Sequence, residues 1–323
     1  VYFSSLGGND FVPASPSLHI RDDSLGYMFK SYKQLLDDND AKYLIDEKDT
    51  PNHEVLQQFL QILETNETVR IRKKFNKIGQ RASYVTYFYN PKLPKEEQIK
   101  NLYEVYEHGL FLSSYHPFHK YYLDRLNAID YQSDDWEKQY NEHFFGGLDL
   151  DKVCDDYLLA MKWTYDYYKN NEPPSWFFAF DYRVAPTLHS FMVCTDFERL
   201  TNHGYSKKYT LPDGIDEDKP LSPYEQMLLV LPIQNTSMLP GPLQFFLNGE
   251  DAPLADMYAR KFDLDVLAGL KNIYSEPLLP SVDFRKVRIA VNNALFNEIE
   301  IARNIVRSSP FKRTFGGVDN TSR

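Results

Sequence analysis

The stretch between Asp149 and Asn170 constrains the fold of this chain more than any other. Apolar and aromatic residues recur along it at the three- and four-residue spacing of one helix face. The residues of this face are Val153, Tyr157, Leu158, Met161, Tyr165 and Tyr168, with Trp163 and Tyr167 beside them. Pro173 and Pro174 follow, and proline cannot continue a helix because it lacks the backbone N–H. The sequence therefore predicts a long helix whose aromatic face is typical of core packing.

Several other segments have a helical period. They run from Ser24 to Leu36, from about Asn52 to Leu63, over 94–108, from Pro223 to Leu231 and from Phe284 to Val306. Residues 1–6 and 175–184 are instead typical of extended or buried segments. We therefore predict an α+β chain that is mainly helical.

Changes in composition along the chain predict three regions. An acidic run at residues 37–40 ends the first helical block, and a Phe-Phe-Gly-Gly sequence at 144–147 precedes the long helix. The predicted regions are accordingly 1–45, 46–147 and 148–323.

The formal charge of the chain is −10, from 46 Asp and Glu against 36 Lys and Arg. Nucleic-acid binding relies on clustered Lys and Arg, so the whole surface is not expected to be a platform for it. A local basic groove stays possible, and the densest basic run lies between Thr68 and Arg81. This run is either a solvated helix face opposite Val69, Ile71 and Phe75 or a contact for backbone phosphates.

Cysteine use and hydropathy bear on the compartment. Cys154 and Cys194 are the two cysteines of the chain, which is too few for a disulfide framework and fits a reducing compartment. No run approaches the roughly 18 apolar residues that a membrane span needs. We expect a cytoplasmic protein without a membrane partner, with the nucleus or a virus particle as alternatives.

Residues 7–11, Gly-Gly-Asn-Asp-Phe, form a turn that can aim the carboxylate of Asp10 at a metal ion. Two adjacent glycines allow backbone conformations that other residues avoid and a close approach to an ion. His116 and His119 are a weaker candidate pair, because Pro117 prevents the regular helical spacing of a zinc site. The first residue is not Met and the turn comes early, so we expect this chain to be the later part of a longer protein.

Five segments, in this order, resemble the Xrn-type 5′→3′ exoribonucleases over about residues 1–290. The first is residues 8–21, GNDFVPASPSLHIR, and the second is the long helix with the Pro-Ser-Trp of 174–176 and the Ala-Pro of 185–186. The other three are Pro-Tyr-Glu-Gln-Met at 223–227 with Val-Leu-Pro at 230–232, Leu-Pro at 239–240, and Leu-Pro at 279–280 with Asp283. Residues 46–147 match poorly.

The resemblance implies a fold and a metal ion. It makes the chain the tail of a nuclease core related to flap endonucleases and PIN domains, followed by that family's helical second conserved region. Asp10 matches the last acidic ligand of a Mg²⁺ cluster and would be both metal ligand and catalytic residue. Hydrolysis with two metal ions needs several carboxylates, so the others would belong to an N-terminal nuclease half outside this sequence. This chain alone is expected to be inactive.

The resemblance also implies single-stranded RNA with a 5′-monophosphate as substrate. Trp176 or Phe178 would stack an incoming base, because stacking on an aromatic ring tolerates any base. Arg183 would contact a phosphate or the RNA backbone. For Trp176, a purely structural role remains the alternative.

Three departures from the family pattern favour a second interpretation. Phe178 stands where the family has a second Trp, Arg183-Val184 replaces a His-Tyr pair, and Ala14 replaces a His. The alternative is a catalytically degenerate relative that serves as a structural component of a large complex or virus particle. A third interpretation, an RNA-binding subunit without catalysis, would need the basic face of residues 70–81.

Overall fold

The computed structural model describes residues 1–20, 23–38, 42–76, 128–203, 208–212, 217–248, 252–259 and 282–305, with isolated positions between them. Helices dominate these ranges, which confirms the prediction of a mainly helical chain. The chain divides into two compact units. The first contains Val1–Thr210 and Asp263–Leu278, and the second contains Leu211–Phe262 and Leu279–Arg323. Among the described residues, no helix is long and apolar enough to cross a membrane.

The first unit opens with a short 3₁₀ helix at Phe3–Gly7 and continues with α-helices. These are α1 (Ser24–Asp38), α2 (His53–Glu64), α3 (67–76), α4 (Trp136–Phe145), α5 (Leu150–Asn170), α6 (Leu188–Cys194) and α7 (Phe197–His203). The sheet found in the described ranges has two short antiparallel strands, β1 (Leu264–Asp265) and β2 (Glu276–Pro277). Leu264 pairs with Pro277 and Asp265 with Glu276.

The second unit contains α8 (Pro223–Val230), α9 (Gly241–Gln244), α10 (Phe284–Asn293) and α11 (Glu298–Arg303), with 3₁₀ turns at Ile233–Met238 and Ala255–Met257. Its apolar core joins α8, α9 and α10. The buried carboxylate of Glu225 caps the start of α8 reciprocally with Ser222. The same carboxylate accepts a hydrogen bond from Nε of Arg288 at 3.1 Å, so one charged pair links α8 to α10.

Helix α5 is the long helix that the sequence predicts. The carboxylate of Asp149 accepts hydrogen bonds from the N–H groups of Asp151 and Lys152, which satisfies donors that lack a partner inside the helix. Asn171, in the left-handed conformation, ends it before the two prolines. Core packing is confirmed for most of the predicted face, whereas its last member, Tyr168, is half exposed.

Helix α2 lies at the centre of the first unit and contacts α1, α6 and α7. Asn52 caps it by accepting the N–H of Val55, and the predicted apolar stripe is buried. The buried residues are Val55, Leu56, Phe59, Leu60 and Leu63. Burying each such side chain stabilises the fold by about 1.5 to 3 kcal/mol, so this helix supplies a large share of the core.

Some predicted elements are wrong in type or extent. Residues 1–6, predicted as extended or buried, are not extended, because a 3₁₀ helix runs over Phe3–Gly7, but Tyr2 and Leu6 are buried. Residues 175–184, by contrast, contain no helix, and Ser175, Phe177 and Phe180 are buried, as expected of an extended or buried segment. The predicted last helix is two helices, since α10 ends at Asn293 and Asn297 caps a new start.

In the first unit, α4, α6 and α7 have no counterpart in the sequence prediction. In α4, Trp136 and Tyr140 are buried one turn apart, within a segment whose acidic composition hid this spacing. Helices α6 and α7 have only seven residues each, which is too short for a periodic pattern to stand out.

The basic run of residues 68–81 is not a simple solvated face. In α3, Arg70 donates to the carbonyl of Ser17, Arg72 to those of Tyr131 and Ser133, and Lys74 to that of Pro16. Val69, which was predicted to face the core, is 66% exposed. Arg70, Arg72 and Lys74 therefore brace neighbouring loops.

Several predictions fall outside the described residues. They concern most of the helix at 94–108, both histidines of the candidate pair at 116 and 119, and the last basic residues of the run, Lys77 and Arg81. The division into regions 1–45, 46–147 and 148–323 also stays a prediction.

Replacing Arg70 tests its bracing role. Arg70→Met removes hydrogen bonds to the carbonyl of Ser17 (3.0 Å) and the hydroxyl of Ser24 (2.7 Å), and the contact of the guanidinium with the ring of Tyr27. We expect the free energy of unfolding in urea to fall by about 1 to 3 kcal/mol. Lys73→Met, on the exposed side of the same helix, should change it by less than about 0.5 kcal/mol. Equal effects of the two substitutions would contradict the assignment.

Candidate functional site

The turn at residues 7–11 is shaped by Asn9. The side-chain oxygen of Asn9 accepts the N–H of Phe11 at 2.8 Å and of Val12 at 3.0 Å. The backbone N–H of Asn9 donates to the carbonyl of Val12. Asp10 lies at the exposed tip of this turn. In the part of the chain that the structure describes, no residue forms a hydrogen bond or ion pair with the carboxylate of Asp10. The turn thus presents this carboxylate to its surroundings without using it for its own shape.

Gly8 is required by the path of the backbone. Its φ is 84°, in the region that residues with side chains rarely adopt. A Cβ at this position would lie 2.9 Å from the backbone nitrogen of Ala14 and 3.0 Å from its Cβ. The backbone at Gly8 and the backbone at Ala14 therefore approach each other as closely as a glycine allows.

Tyr157 of α5 anchors the base of this loop. Its buried hydroxyl lies 2.8 Å from the carbonyl oxygen of Pro13 and 3.3 Å from that of Ser5, which stand on either side of the turn. Burial raises the pKa of Tyr157 far above its ordinary value, so the phenol stays a neutral donor at physiological pH. The position of the turn is thereby tied to α5.

Phe11 packs into an aromatic cluster on the C-terminal half of α5. Its ring centroid lies 4.9 Å from that of Trp163 and 5.3 Å from that of Tyr167, both in edge-on geometry. Trp163 and Tyr167, one turn apart on the helix, stack at 5.5 Å with their planes 14° apart. Such pairs stabilise by about 0.5 to 1.5 kcal/mol beyond the area that they bury.

Trp163 also holds the segment that contains Trp176 and Phe178. Its indole N–H donates to the carbonyl of Ser175 at 3.0 Å, and its ring lies 6.3 Å from that of Phe178. Phe178 is partly buried and packs edge-on against Tyr209. Trp176 is 45% exposed, so of the two predicted stacking residues it offers more ring surface to a ligand.

The structure brings two of the three predicted site segments together. Phe11, next to Asp10, and Phe178 both pack on Trp163. Arg183 is exposed and lies five residues beyond Phe178, ahead of α6. From the sequence, Trp163 was assigned to the core. Its role in connecting the loop of Asp10 to the segment of residues 175–178, here called the joint at Trp163, was missed. The available signal was its four-residue spacing from Tyr167, combined with an aromatic residue directly after the metal-type turn.

A complete metal site is not contained in the described ranges. There, no group of three or more His, Cys, Asp or Glu side chains is arranged to hold a metal ion. Mg²⁺ prefers oxygen ligands and is often bound through one or two carboxylates, so the exposed Asp10 fits the role of one ligand in a shared cluster. It does not fit the role of a metal site by itself.

Comparison with known families decides the assignment. The family model described as the Xrn1 helical domain matches residues 1–107 and 120–311, which is most of the chain. This chain belongs to the Xrn1 helical domain family. The match includes residues 46–107, where the motif resemblance is poor, and it agrees with the mainly helical fold.

Individual relatives are distant and much longer than this chain. It is similar to human 5′-3′ exoribonuclease 1, with 23% identity over 310 residues, covering 87% of this chain and 17% of the relative. It is also similar to 5′-3′ exoribonuclease 2 of Cryptococcus neoformans, with 26% identity over 201 residues, covering 58% and 16%. With that of Saccharomyces cerevisiae it shares 29% identity over 151 residues, covering 46% and 14%. The chain spans less than a fifth of the length of these relatives.

A substitution at Gly8 tests the geometry of the turn. Gly8→Ala places a Cβ against Ala14 and forces an alanine to adopt a positive φ. We expect the free energy of unfolding to fall by about 1 to 3 kcal/mol. Gly241→Ala is the control, because a Cβ there meets no atom within 4 Å and the residue starts a helix. If thermal or urea unfolding of the two variants is alike, the turn is not constrained as described.

Proposed function

We propose that this chain is part of a 5′→3′ exoribonuclease that degrades single-stranded RNA carrying a 5′-monophosphate by Mg²⁺-dependent hydrolysis. The observation that supports it best is the joint at Trp163, which links the loop of Asp10 to the aromatic segment of residues 175–178. In such an enzyme, the metal ligand and the RNA-stacking wall have to be held in a fixed relation. The first 45 residues would form the end of a nuclease core, and the proposed location is the cytoplasm.

In this proposal Asp10 is a catalytic residue and supplies one oxygen ligand to Mg²⁺. The bound ion would activate water and stabilise the leaving oxygen of the phosphodiester. The remaining carboxylates, and the pocket for the 5′-monophosphate, would come from an N-terminal nuclease half, in the same or a separate polypeptide. Asn9 and Gly8 shape this turn without using the exposed carboxylate of Asp10, which is therefore available to such a cluster.

Trp176, Phe178 and Arg183 form the proposed RNA-binding wall. The half-exposed indole of Trp176 would stack on a base, and Phe178 would support it through its packing on Trp163. The exposed guanidinium of Arg183 would contact the phosphate backbone. A neutral stacking surface with one cation suits sequence-independent binding of a single strand.

A second candidate function is supported by the contact between Gly8 and Ala14. The family resemblance places a histidine at position 14, yet here a methyl group packs against the glycine of the turn. A chain that has lost this polar group could keep the fold as a structural component of a larger assembly or virus particle. The net charge of −10 is compatible with this alternative, because such a role needs no overall basic surface.

Asp10→Asn distinguishes the two candidates. It keeps the size of the side chain and removes the charge that a metal ligand needs. In the complete exonuclease with Mg²⁺, we expect digestion of 5′-monophosphorylated single-stranded RNA to fall by at least roughly 100-fold, without a change in stability. Asp38→Asn, an exposed carboxylate at the end of α1, is the matched control. Digestion that is unaffected by Asp10→Asn would refute the metal role. If the wild type digests no RNA, the structural alternative is favoured.

Trp176→Ala tests the stacking wall. Loss of the exposed indole should weaken binding of single-stranded RNA to the complete protein by about 1 to 3 kcal/mol, whatever the base sequence. Tyr43→Ala is the control, since this aromatic ring is exposed to a similar degree in the same unit. Fluorescence anisotropy with a labelled oligonucleotide measures both affinities. Equal affinities of the two variants would show that Trp176 does not contact RNA.

A further inference from the structure

A buried carboxylate joins two loops that the proposed function uses. Glu67, at the start of α3, is 1% exposed. Its Oε1 accepts the hydroxyl of Ser17 at 3.2 Å and the N–H of Leu188 at 2.9 Å, and its Oε2 accepts the N–H of His189 at 3.0 Å. Ser17 lies in the segment that follows the turn of Asp10. Leu188 and His189 begin α6, directly after the segment of the RNA-binding wall.

Further titratable groups surround this junction. His189 lies with Nδ1 2.6 Å from a carboxylate oxygen of Glu64 and with Nε2 3.8 Å from one of Glu137. Each of these groups comes from a different helix, α6, α2 and α4, respectively. The charged and titratable groups around Glu67 are Glu64, Glu137, Tyr140 and His189, with Arg70 and Lys74 bound to the adjacent carbonyls of Ser17 and Pro16.

The surroundings favour the protonated form of three of these groups. Burial raises the pKa of Glu67 to about 7, and the three hydrogen bonds that it accepts only partly oppose this. Burial also raises the pKa of Glu137. For His189, burial lowers the pKa, but the hydrogen bond to Glu64 and the negative charge of Glu137 outweigh it and raise the pKa. The folded junction therefore binds more protons than the unfolded chain.

We propose that Glu67 is a positioning residue in a proton-controlled junction, which holds the end of the Asp10 loop against the start of α6. Its relevance to RNA degradation rests on the proposed function, whereas the junction itself is a property of this chain. The three bonds of one carboxylate connect α3, the segment after the turn and α6. Any opening that lets water reach Glu67 separates these elements.

The direction of the pH dependence follows from linkage. A group with a raised pKa in the folded state contributes stability that is complete below its unfolded pKa and is lost as pH rises through its folded pKa. For Glu67 this window runs from 4.5 to about 7. His189 acts in the same direction, from 6.5 to its raised pKa. The junction therefore opens more readily at pH 8 than at pH 5.

Hydrogen exchange of the chain without RNA tests whether the opening of the junction depends on pH. The amides to follow are those of Ala14, Ser15, Ser17, Leu18 and residues 187–190, with exchange corrected for intrinsic rates. For these amides we expect the opening constant of the wild type to rise between pH 5 and 8. The ratio of the opening constant at pH 8 to that at pH 5 should be roughly 50- to 100-fold larger in the wild type than in Glu67→Gln. The reason is that Gln does not titrate and each pKa unit is worth a factor of ten. Glu198→Gln, an exposed carboxylate in α7, should behave as the wild type does. An equal rise in the wild type and Glu67→Gln would overturn the proposal.

Two variants that retain Glu67 make the test independent of whether Glu67→Gln folds. Ser17→Ala removes a hydrogen bond that lowers the pKa of Glu67, so the midpoint of the opening transition should move to higher pH. Glu137→Gln removes a like charge, so the midpoint should move to lower pH. Shifts of opposite sign support the junction, and unchanged midpoints or shifts of the same sign overturn it.

Failure of this proposal and failure of the proposed function are distinguishable. Hydrogen exchange is measured without RNA or Mg²⁺, so an enzyme that digests no RNA can still show the pH-dependent junction. Conversely, a flat pH profile would leave the roles of Asp10 and Trp176 to be decided by digestion and RNA-binding measurements.

Discussion

The buried hydroxyl of Tyr157 is the interaction on which the rest of the first unit depends. Its single proton lies within hydrogen-bonding distance of backbone carbonyls on both sides of the turn at residues 7–11, and this contact fixes the turn to the long helix α5. Six residues further along α5, Trp163 packs against Phe11 and binds the segment of residues 175–178. A single helix thus serves as the reference for both parts of the proposed site. Because an unpaired buried hydroxyl costs about 1 to 3 kcal/mol, Tyr157 does not readily give up both carbonyls.

Charged residues of α2, α3, α4 and α6 form a second layer of support through hydrogen bonds that a sequence does not display. Arg70 and Lys74 donate to carbonyls of residues 16 and 17, and Glu67 accepts from the same segment. Two cations and the buried side chain of Glu67 therefore hold one loop, the cations through charge-assisted hydrogen bonds. Charge-assisted bonds of this kind are stronger than neutral ones, which explains how an irregular segment rich in Ser and Pro is held in a defined path. It also explains why a basic run in an acidic chain need not mark a nucleic-acid surface.

Patterns long enough to repeat were predictable from the sequence. Helices α1, α2, α5 and α8 follow from periodic apolar residues. The seven-residue helices α6 and α7 present too few turns for a period, and they form because tertiary burial of Leu188, Phe191 and Leu200 stabilises them. Of the candidate site, Asp10 and Trp176 were predicted from motifs. The joint at Trp163 and the buried Glu67 depend on contacts between distant segments, which no local pattern encodes.

Asn9 closes the backbone turn around Asp10 and Gly8 makes its path possible, whereas the carboxylate at position 10 takes no part in the bonds that define the turn. Folding therefore places almost no restriction on which residue stands there. A serine, an asparagine or an aspartate would be carried to the same place by the same backbone. The residue at this position is consequently free to follow the surroundings of the turn, and it can change in a descendant without any trace in the fold.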